Sequence, residues 1–289
     1  MKPREQLKYL KCVAKKTLLS TTADPKIYIF SYHKVGTKLL AKIFKEICWD
    51  SGWKFKNLAG TVKKVPSDLD VVIFLHSQID LTSIDKPFLG IHLRRDPRDV
   101  LVSGYLYHQR TDEAWCLNTN FEINGNIKYP QVPFSQEHRS EGWKRSYLNN
   151  LGGLSYQENL KKLGQKEGLL FEMERYADWT IREMASWNYG NSNILEVRFE
   201  DMMSNMHDVF QQILDFSGLT DNQIQIGMSI ADREDISKKS DEEIKRHAHI
   251  SSKNTTKWKE YFDDDIKHMF LEKFGDVLIQ LGYEKDNDW

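Results

Sequence analysis

The chain has 289 residues, of which 40% are hydrophobic and 29% are charged, and its formal net charge is -1. This composition is typical of a soluble globular protein with one large α/β domain, and the balanced charge disfavours nucleic acid as a partner. Cys12, Cys48 and Cys116 are too few and too scattered for a disulfide framework or a metal site. Because no apolar run approaches the roughly 20 residues that cross a bilayer, and no secretory signal is evident, we expect a cytoplasmic protein without a transmembrane segment.

Residues 1–24 place basic side chains around a few apolar ones, a pattern that predicts a short amphipathic helix. This basic N-terminal extension precedes a single domain, which we predict over residues 25–289. Two roles remain open for the extension. It packs on the edge of the domain, which we favour, or it contacts an anionic membrane surface.

The stretch from Pro25 to Leu40 has the pattern of a strand, a turn and a helix. Residues 27–30 are apolar and β-forming, which predicts a buried strand, and apolar residues recur at helical spacing from Thr37 onward. The turn therefore ends at a helix N-terminus, where backbone N–H groups without internal partners attract anions. Gly36 permits close approach of an anion, Thr37 adds a hydroxyl group, and Lys34 adds a positive charge.

The turn has two other interpretations. An ordinary strand-to-helix turn with a surface lysine has the same sequence pattern. A Walker P-loop is disfavoured, because it needs two glycines with a lysine after the second, whereas Lys34 precedes the only glycine of the turn. The turn thus predicts a phosphate or sulfate site but not a standard nucleoside-triphosphatase.

Further apolar runs alternate with helical patterns at Trp53–Leu58, Val71–Leu75 and Phe88–Leu93. Strands of this kind predict a parallel sheet covered on both faces, in which ligands bind at the carboxyl ends of the strands. Three of the predicted strands are followed by polar clusters, at Ser31–Thr37, His76 and Arg94–Asp99. We expect the three clusters to meet in one crevice.

The last of these clusters, RRDPRDVLVSGYLYH, is predicted to begin a helix, because Pro97 suits a first turn and apolar residues follow at helical spacing. Ser103 lies eight residues after Arg95. A long arginine side chain at the strand end can therefore grip one anion together with the serine on the helix. Surface ion pairs and a buried serine would explain the same residues.

Residues 110–160 show little periodicity and many Gly, Asn and Pro residues, which is typical of a functional lid or a mobile loop. The aromatic residues of this insert, among them Trp115, Tyr129 and Trp143, either line an acceptor pocket or hold the loop onto the domain. Both interpretations stay open. After the insert, residues 166–188 and Met206–Phe216 are each predicted to form one amphipathic helix.

HKVGTKLL and RRDPRDVLVSGYLYH together resemble the two cofactor signatures of the sulfotransferases that use 3′-phosphoadenosine 5′-phosphosulfate (PAPS), in particular the cytosolic type that acts on small molecules. ILEVRFEDM resembles the strand and YED-like turn of that family, and NTTKWKEYF resembles its C-terminal tryptophan and lysine segment. These matches span residues 27–283. The resemblance implies the sulfotransferase fold, a single α/β domain with a central parallel sheet flanked by helices and a P-loop-like phosphosulfate-binding turn.

The resemblance also implies roles for individual residues. Lys34 is implied as a catalytic cation beside the leaving oxygen and His76 as the general base. The implied cofactor contacts are Lys34, Val35, Gly36, Thr37, Lys38 and Leu39 for the 5′-phosphosulfate, Arg95 and Ser103 for the 3′-phosphate, and Phe199, Ser251, Ser252 and Lys253 elsewhere. The expected acceptor contacts are His33, His108, Trp115, Tyr129 and Trp143. No metal is required, and a homodimer is an open alternative to a monomer.

The chain departs from the family pattern at three places. His33 stands where a proline often precedes the loop lysine, and Leu39 stands where cytosolic members stack adenine on a tryptophan. Residues 251–253 replace an arginine, lysine and glycine motif that begins seven residues before Trp258 and binds the 3′-phosphate. The candidates to compensate for that motif are Arg246, His249, Lys253 and Lys257.

The expected function is transfer of the sulfuryl group from PAPS to a hydroxyl or amine of a small-molecule acceptor, with release of adenosine 3′,5′-bisphosphate. A nucleotide-dependent kinase of related architecture and a catalytically silent nucleotide-binding module are the alternatives. A carbohydrate is the alternative acceptor. The balanced charge of the insert favours neither a polyanionic glycan nor a strongly cationic acceptor. Its aromatic residues favour a compact, partly apolar molecule that carries a hydroxyl group.

Overall fold

The computed structural model describes residues 26–119, 131–235, 238–240, 242 and 254–289. The predicted N-terminal helix, Tyr129 and the candidate residues between 246 and 253 lie outside these ranges. The chain divides into two units, the first comprising residues 1–94 and 188–238 and the second comprising residues 95–187 and 239–289. Within the described ranges, no helix is long and apolar enough to span a membrane.

The first unit is built on a five-stranded parallel sheet with the strand order β2-β3-β1-β4-β5. Its strands are β1 (Lys26–Phe30), β2 (Phe55–Leu58), β3 (Val71–Phe74), β4 (Phe88–Arg94) and β5 (Ile194–Arg198). The three central strands are largely buried, as their continuous apolar sequences predict. The α/β class and the parallel sheet predicted from the sequence are confirmed.

Along the chain, helices lie between the strands and after the last strand, and they make up most of the second unit. In chain order they are α1 (Thr37–Ser51), α2 (Pro97–His108), α3 (Ala114–Leu117), α4 (Glu141–Asn149), α5 (Tyr156–Lys162), α6 (Gln165–Met173), α7 (Tyr176–Ala185), α8 (Phe199–Ser204), α9 (Met206–Phe216), α10 (Asp221–Glu234), α11 (Trp258–Tyr261) and α12 (Asp264–Gln280). In the first unit, a Cβ added at Gly227 of α10 would lie 3.2 Å from Ile47 of α1 and 2.7 Å from Leu214 of α9. These three helices therefore pack in close contact.

The register of the sheet brings the carboxyl ends of neighbouring strands to one level. Phe30 of β1 pairs with Phe74 of β3 on one side and with His92 of β4 on the other. The residues that follow β1 and β3 therefore lie side by side within the first unit. They include the predicted anion-binding turn and His76.

The second unit has α2 near its centre, buried along almost its whole length. The helix begins as its sequence predicts, with Pro97 in the first turn and the carboxylate of Asp96 accepting the backbone N–H of Arg98 at 2.9 Å. A Cβ added at Gly104 would lie 2.7 Å from the carboxylate of Glu172 in α6. The absence of a side chain at Gly104 thus lets α2 and α6 approach closely.

The single helix predicted over residues 166–188 is wrong, because the structure has two helices, α6 and α7, with a break at Arg175. This residue has φ -130° and ψ -104°, far from helical values. Its guanidinium lies 3.8 Å from the ring of Phe171 and donates to the Phe171 carbonyl at 3.3 Å. A break of about two residues hardly disturbs a helical repeat of apolar positions, so the periodicity could not reveal it. The helix predicted at Met206–Phe216 is confirmed as α9.

Candidate functional site

The turn between β1 and α1 is shaped by two residues with positive φ. Lys34 has φ 65° and Gly36, which caps α1, has φ 97°. The first turn of α1 carries no acidic side chain that would neutralise the positive end of the helix dipole. The positive end of this helix is thus suited to an anion, and the anion site itself stays a prediction.

Hydroxyl groups fix the shape of this turn from within. Thr37 Oγ1 donates to the Tyr32 carbonyl at 3.1 Å and is also hydrogen-bonded to Ser31 Oγ. Because each hydroxyl has one proton, the proton of Ser31 points to Thr37 when the proton of Thr37 points to Tyr32. Ser77, which follows β3, donates to the Ser31 carbonyl at 2.8 Å and ties the ends of the two strands together. In this arrangement the side chain of Thr37 supports the turn from within.

Helix α8 closes against the turn at Gly36. A Cβ added to this glycine would lie 2.6 Å from Met202 Cε and 3.0 Å from Phe199 Cδ2. The structure thus brings Phe199, one of the expected cofactor contacts, to the anion-binding turn. Two features therefore favour glycine at position 36, namely its positive φ and the lack of space for a side chain.

We expect Gly36→Ala to destabilise the first unit more than Gly190→Ala does. Both glycines have a similar positive φ, 97° and 93°, but nothing lies within 4 Å of a Cβ added at Gly190. The left-handed backbone alone costs about 1–2 kcal/mol for an L-residue, and overpacking adds about 1–3 kcal/mol. Denaturant unfolding of the two variants measures the difference. Equal losses of unfolding free energy in the two variants would show that the Phe199 and Met202 side chains move aside at little cost.

His76 is buried beside the same strand ends, and its ring orientation is set by the backbone. The N–H of Gly60 donates to His76 Nδ1 at 2.9 Å. A nitrogen that accepts this hydrogen bond carries no proton, so the neutral ring has its proton on Nε2. In this tautomer Nε2 is a donor.

The second unit contains both Arg95 and Ser103. Ser103 lies on α2, and Arg95 lies two residues before the helix begins. Arg95, Asp99 and Ser103 follow one another at intervals of four residues, which places them on the same side of a helix. Arg95 Nη2 lies 4.0 Å from Asp99 Oδ1. Ser103 Oγ and Asp99 Oδ2 are buried without a hydrogen-bond partner among the described residues. A buried hydroxyl of this kind is suited to a polar ligand.

Lys257 joins this face from the C-terminal segment. Its backbone N–H donates to Asp99 Oδ1 at 2.8 Å, and its side chain is buried. Burial and the nearby Arg95 guanidinium lower the pKa of Lys257 to about 8. Burial raises the pKa of Asp99 to about 7, although Arg95 opposes the shift.

Arg98 fastens the C-terminal segment to the start of α2. Its guanidinium donates to Asp96 at 2.7 Å through Nη2 and to Glu284 at 2.6 Å through Nη1. It also lies 4.0 Å from the ring centre of Trp258 and 4.4 Å from that of Trp289. The tryptophan of the NTTKWKEYF segment is thus held by an arginine within the RRDPRD sequence.

The expected acceptor contacts in the described part of the second unit belong to aromatic clusters. His108 is fully buried, with Nδ1 at 3.0 Å from both carboxylate oxygens of Glu172. Trp115 is buried 5.2 Å from the His108 ring and donates to Glu113 at 2.6 Å. Trp143 is only half-buried and stacks on Tyr147 at 5.3 Å. Trp143 is therefore the most accessible of these three side chains.

Three features of the sites could not be found by sequence reasoning alone. Gly60 has no sequence signal that links it to His76, because the contact joins two loops of the sheet. Arg98 belongs to an arginine-rich motif, and only a structure distinguishes this arginine, which binds Asp96 and Glu284, from the arginine predicted to bind a ligand. Lys257 was one of four candidates, and its burial distinguishes it.

Comparisons with known proteins identify the family of the chain. The family model described as sulfotransferase domain matches residues 76–282. Similar solved structures include mouse sulfotransferase SULT7A1 complexed with PAP, with 14% identity, coverage of 94% of this chain and 90% of that chain, and a TM-score of 0.46. They also include retinol dehydratase in a complex with retinol and PAP, with 17% identity, coverage of 93% and 85%, and a TM-score of 0.43. No curated protein sequence matches the chain. Since the family model covers more than half of its length, the chain belongs to the sulfotransferase domain family of PAPS-dependent transferases.

Proposed function

We propose that this protein transfers the sulfuryl group of PAPS to a hydroxyl or amine of a small-molecule acceptor and releases adenosine 3′,5′-bisphosphate. The observation that carries the proposal is the turn before α1. Its φ-positive Gly36, packed under Phe199, leads into a helix whose first turn has no acidic side chain. This is an anion-binding turn with a lysine two residues before the glycine.

The residues of this turn fit the proposed donor. PAPS, when bound, supplies an activated sulfuryl group that passes in line between two oxygens through a loose transition state. Lys34 neutralises charge that develops on the leaving oxygen, and the backbone N–H groups at the start of α1 hold the 5′ anionic groups. Val35 is fully buried and anchors the turn, whereas Lys38 and Leu39 are on the more accessible side of α1.

In the second unit, the proposal assigns the 3′-phosphate to Arg95 and Ser103. The buried Ser103 hydroxyl without a partner among the described residues supports this assignment, because a phosphate oxygen is an acceptor for it. The contacts proposed for Ser251, Ser252 and Lys253 stay predictions, because these residues lie outside the described ranges.

His76 is proposed as the general base that takes the proton of the acceptor. The geometry adds one requirement to this role. A base that receives a proton at Nε2 must carry its other proton on Nδ1, where the N–H of Gly60 now donates. The Gly60 hydrogen bond must therefore be given up before proton transfer.

For the acceptor we propose a compact molecule with a hydroxyl group, with a carbohydrate as the alternative. Trp143, with its half-buried ring, is the accessible aromatic contact proposed for the acceptor in the described part of the insert. Trp115 and His108 are buried, so their proposed contact with an acceptor requires the aromatic cluster to open. His33 remains a proposed acceptor contact beside Lys34.

The test is turnover of labelled PAPS with a panel of alcohols, phenols, amines and sugars. Transfer of label to at least one acceptor class supports the proposal. Direct titration of PAPS against ATP separates a sulfotransferase from a kinase. Tight binding of ATP with no binding of PAPS would overturn the proposal, whereas binding of PAPS without turnover of any acceptor would favour a silent binding module.

We expect Lys34→Ala to reduce turnover at saturating PAPS by about 10²- to 10³-fold, the range for loss of one preorganised charge-stabilising donor. Alanine at this position has the same positive φ, so the loss reports the ammonium group rather than a change in backbone strain. Lys45→Ala is the matched control, because Lys45 lies on α1 and stacks on Trp49 at 4.6 Å. Turnover of Lys34→Ala equal to that of Lys45→Ala would remove Lys34 from the mechanism.

A further inference from the structure

Four side chains of the second unit form a buried polar cluster, which we call the α2 cluster. They are Arg95, Asp99, Ser103 and Lys257, and their exposed fractions are 4%, 0%, 4% and 7%. Burial of ionisable groups is costly unless each finds a partner. In the described part of the chain, however, Ser103 Oγ and Asp99 Oδ2 have no hydrogen-bond partner. The cluster is therefore incomplete as a set of protein groups.

The backbone of Lys257 is fixed next to α2 by two independent contacts. Its N–H donates to Asp99 Oδ1 at 2.8 Å. The following residue, Trp258, lies against the guanidinium of Arg98, 4.0 Å from its ring centre. Both partners belong to the first turn of α2, next to Arg95. The position of the Lys257 backbone is therefore set by contacts other than those of its side chain.

The charged groups around Lys257 bear on whether the cluster binds an anion. The groups that act on its charge are the cations Arg95 and Arg110 and the carboxylates Asp99 and Glu260. Arg110 and Glu260 are both exposed and are screened by solvent. Among these groups, Arg95, Lys257 and Asp99 are buried, and burial raises the pKa of Asp99 to about 7. The two buried cations and the Ser103 hydroxyl, which has no partner among the described residues, together suit a bound anion.

We propose that Lys257 is a direct ligand of the 3′-phosphate and selects nucleotides that carry this group. The proposal rests on the proposed function, because it takes the anion to be the 3′-phosphate held by Arg95 and Ser103. It gives the chain a replacement for the arginine, lysine and glycine motif that residues 251–253 lack. The ammonium group supplies a charge-assisted hydrogen bond that an adenosine 5′-phosphate does not use.

This role makes 3′-phosphate binding dependent on pH. Lys257, with a pKa of about 8, is charged at neutral pH and loses its proton as the pH rises through that value. Asp99, with a pKa of about 7, gains negative charge over a neighbouring range. Both changes weaken attraction to a phosphate dianion in the same direction. Affinity for adenosine 3′,5′-bisphosphate should therefore fall between about pH 7 and about pH 9.

The experiment is calorimetric titration of Lys257→Met with adenosine 3′,5′-bisphosphate and with adenosine 5′-phosphate. Methionine keeps the buried stem and the backbone N–H that Asp99 accepts, and it removes only the charge. We expect affinity for the bisphosphate to fall by about 10- to 100-fold, the effect of one charged hydrogen bond, and affinity for the monophosphate to stay unchanged. The matched control is Lys259→Met, because Lys259 is exposed two residues further on. Its affinities should equal those of the wild type.

The outcomes separate this inference from the proposed function. If wild type binds the bisphosphate no better than the monophosphate, the 3′-phosphate assignment itself fails. If wild type prefers the bisphosphate and Lys257→Met keeps that preference, only the role of Lys257 fails. Thermal unfolding of the variant identifies general destabilisation, which would weaken both ligands equally and contradict the proposal. Lys257→Arg should restore most of the preference and remove the decline above about pH 8, because arginine stays charged.

Discussion

Replacement of His76 by asparagine or glutamine is expected to lower turnover by about 10²- to 10⁴-fold, the range for loss of a general base. Each substitution keeps a polar group at the position of one of the two ring nitrogens. Asparagine places an acceptor where Nδ1 lies and can keep the hydrogen bond from Gly60. Glutamine places a polar group where Nε2 lies but cannot remove a proton from an alcohol.

The two variants distinguish a role of His76 as general base from a role as hydrogen-bond donor. If His76 is a base, both variants lose activity equally, and both lose the fall in kcat/KM at acid pH that protonation of a histidine base produces. If His76 acts as a donor from Nε2, as the Gly60 contact in the structure permits, glutamine keeps much more activity than asparagine. Comparable activity of the glutamine variant and wild type would refute the base.

The control for these variants is His207→Gln. The His207 side chain is 64% exposed and lies on α9 of the same unit, 3.7 Å from Asp232. Exposed histidines of this kind contribute little to stability, so a loss of activity here would indicate a general effect of removing an imidazole. We expect turnover of this variant to match that of wild type.

The sheet could be predicted from the sequence because it depends on short-range patterns, and the same kind of pattern predicts an anion site at the turn before α1. Four buried residues followed by Ser31 identify β1, and Gly36 before a helical repeat identifies the start of α1. His76 lies two residues after the end of β3, and it is predicted to lie near this turn because parallel strands place their carboxyl ends together. Register then set the distance between these groups, and register is fixed by the packing of both faces.

Contacts between distant loops could not be predicted in this way. The hydrogen bond from Gly60 to His76 determines which ring nitrogen carries the proton, yet neither residue differs in sequence from an ordinary loop residue. The burial of Lys257 depends on Trp258, whose partner Arg98 lies 160 positions earlier in the chain. A single sequence carries no signal for such pairs.

The insert shows how composition can mislead about structure. Residues 110–160 have little periodicity, but their described part contains α3, α4 and the start of α5. Trp115 and Tyr156 are buried and lie 5.2 Å apart, with Trp115 stacked on Tyr176 of α7. Short helices joined by turns bury aromatic side chains without a long apolar repeat. If residues 110–160 act as a lid, as proposed, an opening motion must break this aromatic packing.

Arg98→Met is expected to lower the free energy of unfolding by about 3–5 kcal/mol, the cost of removing one partner from a buried ion pair. The side chains of Arg98 and Asp96 are 4% and 8% exposed. Removal of the guanidinium leaves Asp96 as a buried charge without its cation and also ends the contacts with Glu284 and Trp258. The matched control is Arg182→Met, whose ion pair with Asp178 involves an arginine side chain that is 59% exposed. The control should lose about 0.2–1 kcal/mol.

A second substitution tests the physical reason for this loss. In the double variant Arg98→Met with Asp96→Asn, the uncompensated charge is gone, while asparagine still caps α2 by accepting the N–H at position 98. We therefore expect the double variant to be more stable than Arg98→Met alone. If the asparagine brings no recovery, the loss comes from the stacking of Trp258 and Trp289 on the guanidinium and not from the buried carboxylate. In either case release of Trp258 should loosen Lys257, so affinity for adenosine 3′,5′-bisphosphate should fall in Arg98→Met while affinity for adenosine 5′-phosphate remains.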